Sequence, residues 1–266
     1  MLASIHLNYV LGTLPFEQRF SAARKLGFQA VEFPFPYSVP ARDYARLLSD
    51  HGLAQISIGA PAADYRAGMP AYSLTPAHKQ QFDESISTVI DYAKLIGCSR
   101  VHVFAGSRAP DVSEELAFET YCRNLAEAYD RLQAEGLSLV IEPVNSTDFS
   151  GYFLDRLDLA LAAISRAERP GIKIILDVYH AHVNGEDPVA FLRNHGKSVT
   201  HIQLADYPGR HEPGTGKVDF DAIFQALVDV EYAGSVGLEY IPTRSIFEGV
   251  PLSAKLGLPV AASDAS

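Results

Sequence analysis

Cysteine is scarce in this chain, and no apolar run is long enough to span a membrane. The 266 residues include two cysteines, Cys98 and Cys122, which form no CxxC pair. A disulfide scaffold and a cysteine zinc site are therefore excluded, and we expect two free, buried thiols. No apolar run approaches the roughly 18 residues that cross a bilayer, and the first ten residues lack the basic segment of a signal peptide. We expect no membrane partner and a cytoplasmic location.

Basic residues are also few. Lysine and arginine number 22 against 32 aspartates and glutamates, which gives a formal net charge of −10. Such a charge opposes a general affinity for nucleic acid, because the phosphate backbone is itself negative. We therefore expect no nucleic-acid partner and a small-molecule ligand. The sequence leaves open whether the protein is a monomer or a homo-oligomer.

What the chain does contain is a regular alternation of short apolar runs with amphipathic segments. The alternation predicts an α/β protein with a parallel sheet, and the length suits a single (β/α)8 TIM barrel of about 250 residues. No GxGxxG follows the first run, so a doubly wound dinucleotide fold lacks support. We predict one barrel domain over residues 1–257 and a flexible tail over 258–266. The predicted strands are SIHLN, QAVEF, LAQISIG, RVHVF, SLVIE, IKIILD, VTHIQ and SVGLE.

The last four of these runs each end in an oxygen-bearing side chain. These side chains are Glu142, Asp177, Gln203 and Glu239, separated by 35, 26 and 36 residues. Each separation is close to one strand-plus-helix unit of roughly 30 residues. A single acid at a strand end often only caps the next helix, but four at this spacing predict one shared site at the C-terminal rim, where barrel active sites are built.

The chemistry of the four side chains indicates a metal. Three carboxylates and one amide form an oxygen-only set, which suits Mg²⁺ or Mn²⁺ better than Zn²⁺. Three buried carboxylates would otherwise repel one another and resist ionisation, so a divalent cation also explains how they coexist. Inward-facing positions below these ligands carry small or polar residues, including Gly237, Ser235 and His201.

Other residues are candidates for substrate contacts. His180 follows Asp177 by three residues, and Arg210 lies in the glycine- and proline-rich segment ADYPGRHEPGTG, where a guanidinium suits an anionic or hydroxyl-rich substrate. For each side chain the alternative is a solvated or purely structural role. The long loop over residues 60–74 could form a lid through Tyr65 and Arg66. Further candidates at the barrel mouth are His6, Asn8, Glu32 and His102.

Several segments together resemble the hydroxypyruvate isomerase family, a branch of the xylose isomerase-like TIM barrels that also contains 2-oxo-tetronate isomerases and ketose 3-epimerases. The similarity is densest in IEPVNSTDFSGYFL, ILDVYHAH and HIQLADYPGRHEPGTGKVDF, with support from VEFPFPY and GLEY. The resemblance implies metal coordination by Glu142, Asp177, Gln203 and Glu239, proton exchange by Glu142 and Glu239, and contacts from His180 and Arg210 to substrate oxygens. The chain departs from many relatives at Ile241, where EYIP replaces EYKP, which puts the substrate in doubt.

The expected activity is a metal-assisted isomerisation of a small hydroxy-carbonyl acid, such as hydroxypyruvate to tartronate semialdehyde or a 2-oxo-tetronate to its isomer. Glu142 and Glu239 would move a proton through an ene-diolate, while the metal stabilises the negative charge. The same apparatus inverting one carbon would be a ketose 3-epimerase. Outside this class, the alternatives are a noncatalytic sugar-binding barrel and an endonuclease IV-like nuclease, which would need a histidine-rich zinc site and a basic face.

Overall fold

Nine short parallel strands form a nearly closed barrel. The computed structural model describes residues 1–63 and 71–257, and the predicted lid residues Tyr65 and Arg66 and the predicted tail 258–266 lie outside this part of the chain. All strand pairs are parallel, as the alternation predicts. The strands are β1 (Leu2–His6), β2 (Ala30–Glu32), β3 (Ala54–Gln55), β4 (Ile58–Gly59), β5 (Arg100–His102), β6 (Ser138–Ile141), β7 (Lys173–Asp177), β8 (Val199–Leu204) and β9 (Ser235–Leu238).

The predicted third strand is split into two pieces, and this split explains the count of nine. The sheet order is β3-β2-β1-β9-β8-β7-β6-β5-β4, so the two outermost strands are consecutive in the chain. Strand β3 pairs with β2, whereas β4 pairs with β5. The barrel therefore closes through one continuous chain segment, and the predicted (β/α)8 architecture is confirmed.

Helices follow the strands, and successive outer helices contact one another. In the helix Lys79–Ile96, for example, the buried residues Phe82, Ile86 and Val89 recur at helical spacing on one face. The helices are α1 (Phe16–Lys25), α2 (Ala41–Asp50), α3 (Lys79–Ile96), α4 (Glu114–Ala134), α5 (Leu157–Arg166), α6 (Val178–Val183), α7 (Pro188–His195), α8 (Phe220–Asp229) and α9 (Ser253–Leu256).

One helix near the site was not predicted, and one strand assignment is wrong. The segment after Asp177 forms α6, and Asp177 caps its N-terminus by accepting from the backbone N–H groups of Tyr179 and His180. Asn8 was expected on the first strand, but β1 ends at His6 and Asn8 lies in the turn beyond it. No helix in the described ranges is long and apolar enough to cross a membrane.

The barrel interior beneath the rim is polar, as the strand alternation predicts. Gly237 on β9 has no side chain, and a Cβ there would stand 1.7 Å from Glu32 Oε1 and 2.7 Å from Ser4 Oγ. Ser235 and His201 also point inward, where they hydrogen-bond to each other. Both predicted free cysteines, Cys98 and Cys122, are buried.

Candidate functional site

The four predicted ligands converge on the C-terminal rim. Glu142 directly follows β6, Asp177 ends β7, Gln203 lies near the end of β8, and Glu239 directly follows β9. All four are at least nine-tenths buried. Glu142, Gln203 and Glu239 line a cavity of about 660 Å³, within the usual size range of ligand pockets.

Arg210 joins two of these ligands. Its Nη2 donates to Asp177 Oδ2 at 2.9 Å and to Glu239 Oε1 at 2.7 Å, and its guanidinium carbon lies 4.4 Å from the centroid of the Tyr9 ring. Burial alone would lower the pKa of Arg210, but Asp177 and Glu239 outweigh it and raise the pKa above its ordinary value. The remaining amino group, Nη1, has a longer contact of 3.4 Å to His180 Nε2.

The two proposed proton-transfer residues resist ionisation. Burial, reinforced by Asp177, holds the pKa of the Glu142 carboxyl well above its usual range. Burial likewise raises the pKa of Glu239, although Arg210 opposes the shift. A raised pKa is typical of carboxyls that exchange protons near neutral pH, and it also indicates a site with more negative charge than its own residues neutralise.

Gln203 holds a fixed position beside Glu239. Its Nε2 donates to Glu32 Oε2 at 2.9 Å and to Glu239 Oε2, whereas its Oε1 is buried with no hydrogen-bond partner among the described residues. A buried unpartnered oxygen is costly unless something else satisfies it. Together with the excess of carboxylates, this oxygen fits a hard divalent cation.

His180 lies close to the same carboxylates. One oxygen each of Glu142 and Asp177 and one ring nitrogen of His180 lie within 4.8 Å of one another, which is close enough to share a metal. However, His180 Nδ1 faces the backbone N–H of Asn145 at 3.3 Å, which can only donate. Burial lowers the pKa of His180 to about 4, so the neutral ring carries its proton on Nε2. With its proton on Nε2, His180 can donate a hydrogen bond at the site, and its role as a substrate contact stays a prediction.

The other two predicted substrate-contact residues, His102 and Asn8, differ in how deeply they are buried. His102 is buried against Phe104, with Nδ1 3.5 Å from Glu142 Oε2 and with Nε2 unpartnered among the described residues. Burial lowers the pKa of His102 to about 3, so the ring is neutral at pH 7. Asn8 lies at the exposed rim of the cavity, where its Oδ1 accepts from Arg19 at 2.5 Å.

Some residues at the site carry no local sequence signal. Asn145, which orients His180, was not singled out because an asparagine in a loop has many ordinary uses. Asp206 accepts from the backbone N–H groups of Tyr207, Gly214, Gly216 and Val218 and thereby shapes the loop that delivers Arg210. His6 and Glu32, which were candidates for the barrel mouth, are buried and line the floor of the cavity. His201, Ser4 and His6 outweigh the burial of Glu32 and lower the pKa of its carboxyl to about 2.

A buried cluster of carboxylates at the C-terminal rim of a parallel barrel defines a class of protein, and sequence comparison identifies the same class. A family model for the xylose isomerase-like TIM barrel matches residues 20–256, and the chain belongs to this family. Within it, the chain groups with hydroxypyruvate isomerases and 2-oxo-tetronate isomerases, so the resemblance inferred from the motifs is confirmed.

Individual relatives cover nearly the whole chain. The 2-oxo-tetronate isomerase of Cupriavidus necator is 34% identical over 245 residues, which is 92% of this chain and 94% of the relative. The hydroxypyruvate isomerase of Escherichia coli is 30% identical over 247 residues, covering 93% and 96%. A crystal structure described as an AP endonuclease of family 2 from Brucella melitensis has a TM-score of 0.87 at 30% identity, covering 92% and 94%. A structure of L-ribulose 3-epimerase, at 24% identity and a TM-score of 0.75, shows the shared fold alone.

Proposed function

We propose that this protein is a metal-assisted isomerase of small hydroxy-carbonyl acids, with hydroxypyruvate and 2-oxo-tetronates as the first candidate substrates. The observation that carries the proposal is geometric: two buried acids, Glu142 and Glu239, each directly follow a barrel strand and line one cavity. Relatives at 30–34% identity over nearly the full chain bear the names of isomerases that act on such acids.

The proposed cation is Mg²⁺ or Mn²⁺, held by Glu142, Asp177, Gln203 and Glu239. The proposed ligand atoms are oxygens of the three carboxylates and Oε1 of Gln203, which has no hydrogen-bond partner among the described residues. Once bound, a divalent cation supplies Lewis-acid stabilisation of negative charge on two vicinal substrate oxygens. Both oxygens of Asp177 also have partners within the protein, since Oδ1 accepts from the first backbone N–H groups of α6 and Oδ2 accepts from Arg210 Nη2 at 2.9 Å.

The protein's own residues would then divide the proton transfer and the binding. One of Glu142 and Glu239 removes the proton next to the substrate carbonyl, and the other returns a proton to the neighbouring carbon. His180 donates from Nε2 to a carbonyl or hydroxyl oxygen. Arg210 offers Nη1 to a substrate carboxylate, while Nη2 stays on Asp177 and Glu239. His102 and Asn8 complete the proposed substrate contacts.

The proposal is tested by product analysis. Protein stripped with a chelator would be reloaded with Mg²⁺ or Mn²⁺ and incubated with hydroxypyruvate, 2-oxo-tetronates and a panel of ketoses, and the products would be identified by NMR. We expect conversion of at least one acid only after metal is restored, and no loss in Glu115→Gln, which removes an exposed carboxylate on α4. A metal-loaded protein that converts none of these compounds would contradict the proposal and favour the noncatalytic sugar-binding barrel.

A ketose 3-epimerase is the second candidate, and the cavity is the observation that favours it. The cavity of about 660 Å³ extends from the carboxylates to aromatic side chains, including Phe35, Tyr72 and Phe104. That space exceeds what a three-carbon acid fills and would admit a longer sugar chain. Inversion at one carbon of a ketose, without movement of its carbonyl, would assign the protein to this alternative.

The nuclease alternative is not supported by the charge of this chain. The name AP endonuclease belongs to the Brucella melitensis structure. Binding to the DNA backbone depends on basic residues, whereas this chain has a formal net charge of −10. We expect no tight binding to duplex DNA that contains an abasic site at physiological salt.

Membrane association, location and oligomeric state stay predictions from the sequence.

A further inference from the structure

Glu32 lies under the proposed metal site as an acceptor for several donors. It ends β2, is buried, and accepts from Ser4 Oγ at 2.6 Å and from Gln203 Nε2 at 2.9 Å. His201 Nε2 is 3.0 Å from the same Glu32 Oε2, although the ring is turned away from a straight hydrogen bond. The absence of a side chain at Gly237 makes room for this carboxylate. Glu32 is therefore the shared partner of several polar groups in the barrel interior.

A polar network lies below Glu32. Arg100 Nη1 donates to Ser235 Oγ at 2.9 Å. His201 Nδ1 lies 2.8 Å from that hydroxyl and 3.2 Å from the backbone oxygen of Ser235. These contacts hold the His201 ring in place beside Glu32.

This arrangement decides which way the Gln203 amide faces. Its Nε2 lies between two carboxylates, Glu32 and Glu239. A flipped amide would place Oε1 against the oxygens of both carboxyl groups and lose two hydrogen bonds, so burial makes the flip costly. With the amide held in this orientation, Oε1 is left without a partner among the described residues.

We propose that Glu32 is a positioning residue that fixes the Gln203 amide and so presents Oε1 as a ligand to the divalent cation. The inference rests on the proposed function, because it assumes the metal site described there. Glu32 lines the cavity, but in this proposal it acts on the metal through Gln203 and is not itself a ligand. Outer partners of this kind typically change metal affinity 10–100-fold when they are replaced.

The test is a double-mutant cycle on Mn²⁺ affinity, measured by calorimetry and by electron paramagnetic resonance. Glu32→Gln should weaken Mn²⁺ binding about ten-fold or more, because the amide can then flip. The same substitution in a Gln203→Ala background should cause no further loss beyond about two-fold, since the residue through which Glu32 acts is gone. Glu186→Gln, which removes a half-buried carboxylate at α5, is the matched control and should leave the affinity unchanged.

A second variant separates positioning from simple charge attraction. Glu32→Asp keeps the negative charge but withdraws the carboxylate by one methylene, so we expect it to lose Mn²⁺ affinity as well. The same variant replaces Glu32→Gln in the test if Glu32→Gln does not fold. Wild-type affinity in Glu32→Asp, or an undiminished loss in the Gln203→Ala background, would overturn the inference and leave the proposed function standing. If the wild-type protein binds no Mn²⁺ at all, the proposed function fails and the inference fails with it.

Discussion

Arg210 illustrates how one buried side chain organises the charges of the site. Its backbone has a φ of 56°, in the left-handed region, which turns the side chain toward Asp177 and Glu239. The sequence indicated Arg210 as a functional residue from its type and its loop. It could not indicate that two predicted metal ligands share the guanidinium, because that depends on contacts about 30 residues apart.

Replacing the positive side chain of Arg210 should destabilise the protein when no metal is bound. Arg210→Met leaves two buried carboxylates without their positive partner, and breaking a buried ion pair in this way typically costs about 3–5 kcal/mol. We expect the free energy of unfolding in urea, measured with chelator present, to fall by an amount in that range. The control is Arg169→Met, which breaks an exposed pair with Asp130 and should change stability little. Equal losses in the two variants would contradict the account.

The elements show which predictions local patterns can support. The strands and their inward-facing residues followed from the apolar pattern, and the barrel they predict is confirmed. Helix α6 was not predicted because DVYHAH is too short to show helical periodicity, although Asp177 is a good N-cap residue. The split of the third strand was not predictable from LAQISIG alone, since each half pairs with a different neighbour.

The loop over residues 206–218 should depend on Asp206. Asp206→Ala removes the acceptor of four backbone N–H groups, and each hydrogen bond to a charged group contributes roughly 1.5 kcal/mol or more. We expect amide hydrogen exchange at Gly214 and Gly216 to accelerate about ten-fold or more. Asp187→Ala, which removes the N-cap of α7, is the control and should change exchange only at that helix. Unaltered exchange in the loop of Asp206→Ala would show that other contacts hold it.

At the scale of the whole molecule, the sequence indicated the architecture and the family, both of which are confirmed. The meeting of Glu142, Asp177, Gln203 and Glu239 at one rim was also foreseeable, because strand ends in a parallel barrel lie together there. The contacts among the residues of the site could not be foreseen from the sequence. Glu32 and Gln203 are 171 positions apart, and no local pattern reports a contact over that separation.

The burial of both thiols gives a prediction for the folded molecule. Burial raises the pKa of Cys98 to about 11 and that of Cys122 to about 12. At pH 8 the reactive thiolate is then about one part in a thousand or less, so we expect almost no reaction with a thiol reagent in the native protein. Two equivalents should react after unfolding in guanidinium chloride. Rapid modification of one equivalent in the folded protein would contradict this packing.

The central claim, that Glu142 and Glu239 exchange a substrate proton, is tested most directly by deuterium incorporation. NMR in D₂O would follow the metal-loaded protein with hydroxypyruvate, 2-oxo-tetronates and ketoses, comparing wild type with Glu142→Gln, Glu239→Gln and the Glu115→Gln control. We predict metal-dependent incorporation at the carbon next to the carbonyl, at a rate that falls by at least about 100-fold in both site variants and is unchanged in the control. Exchange that persists in either site variant with metal bound would contradict the two-carboxylate account.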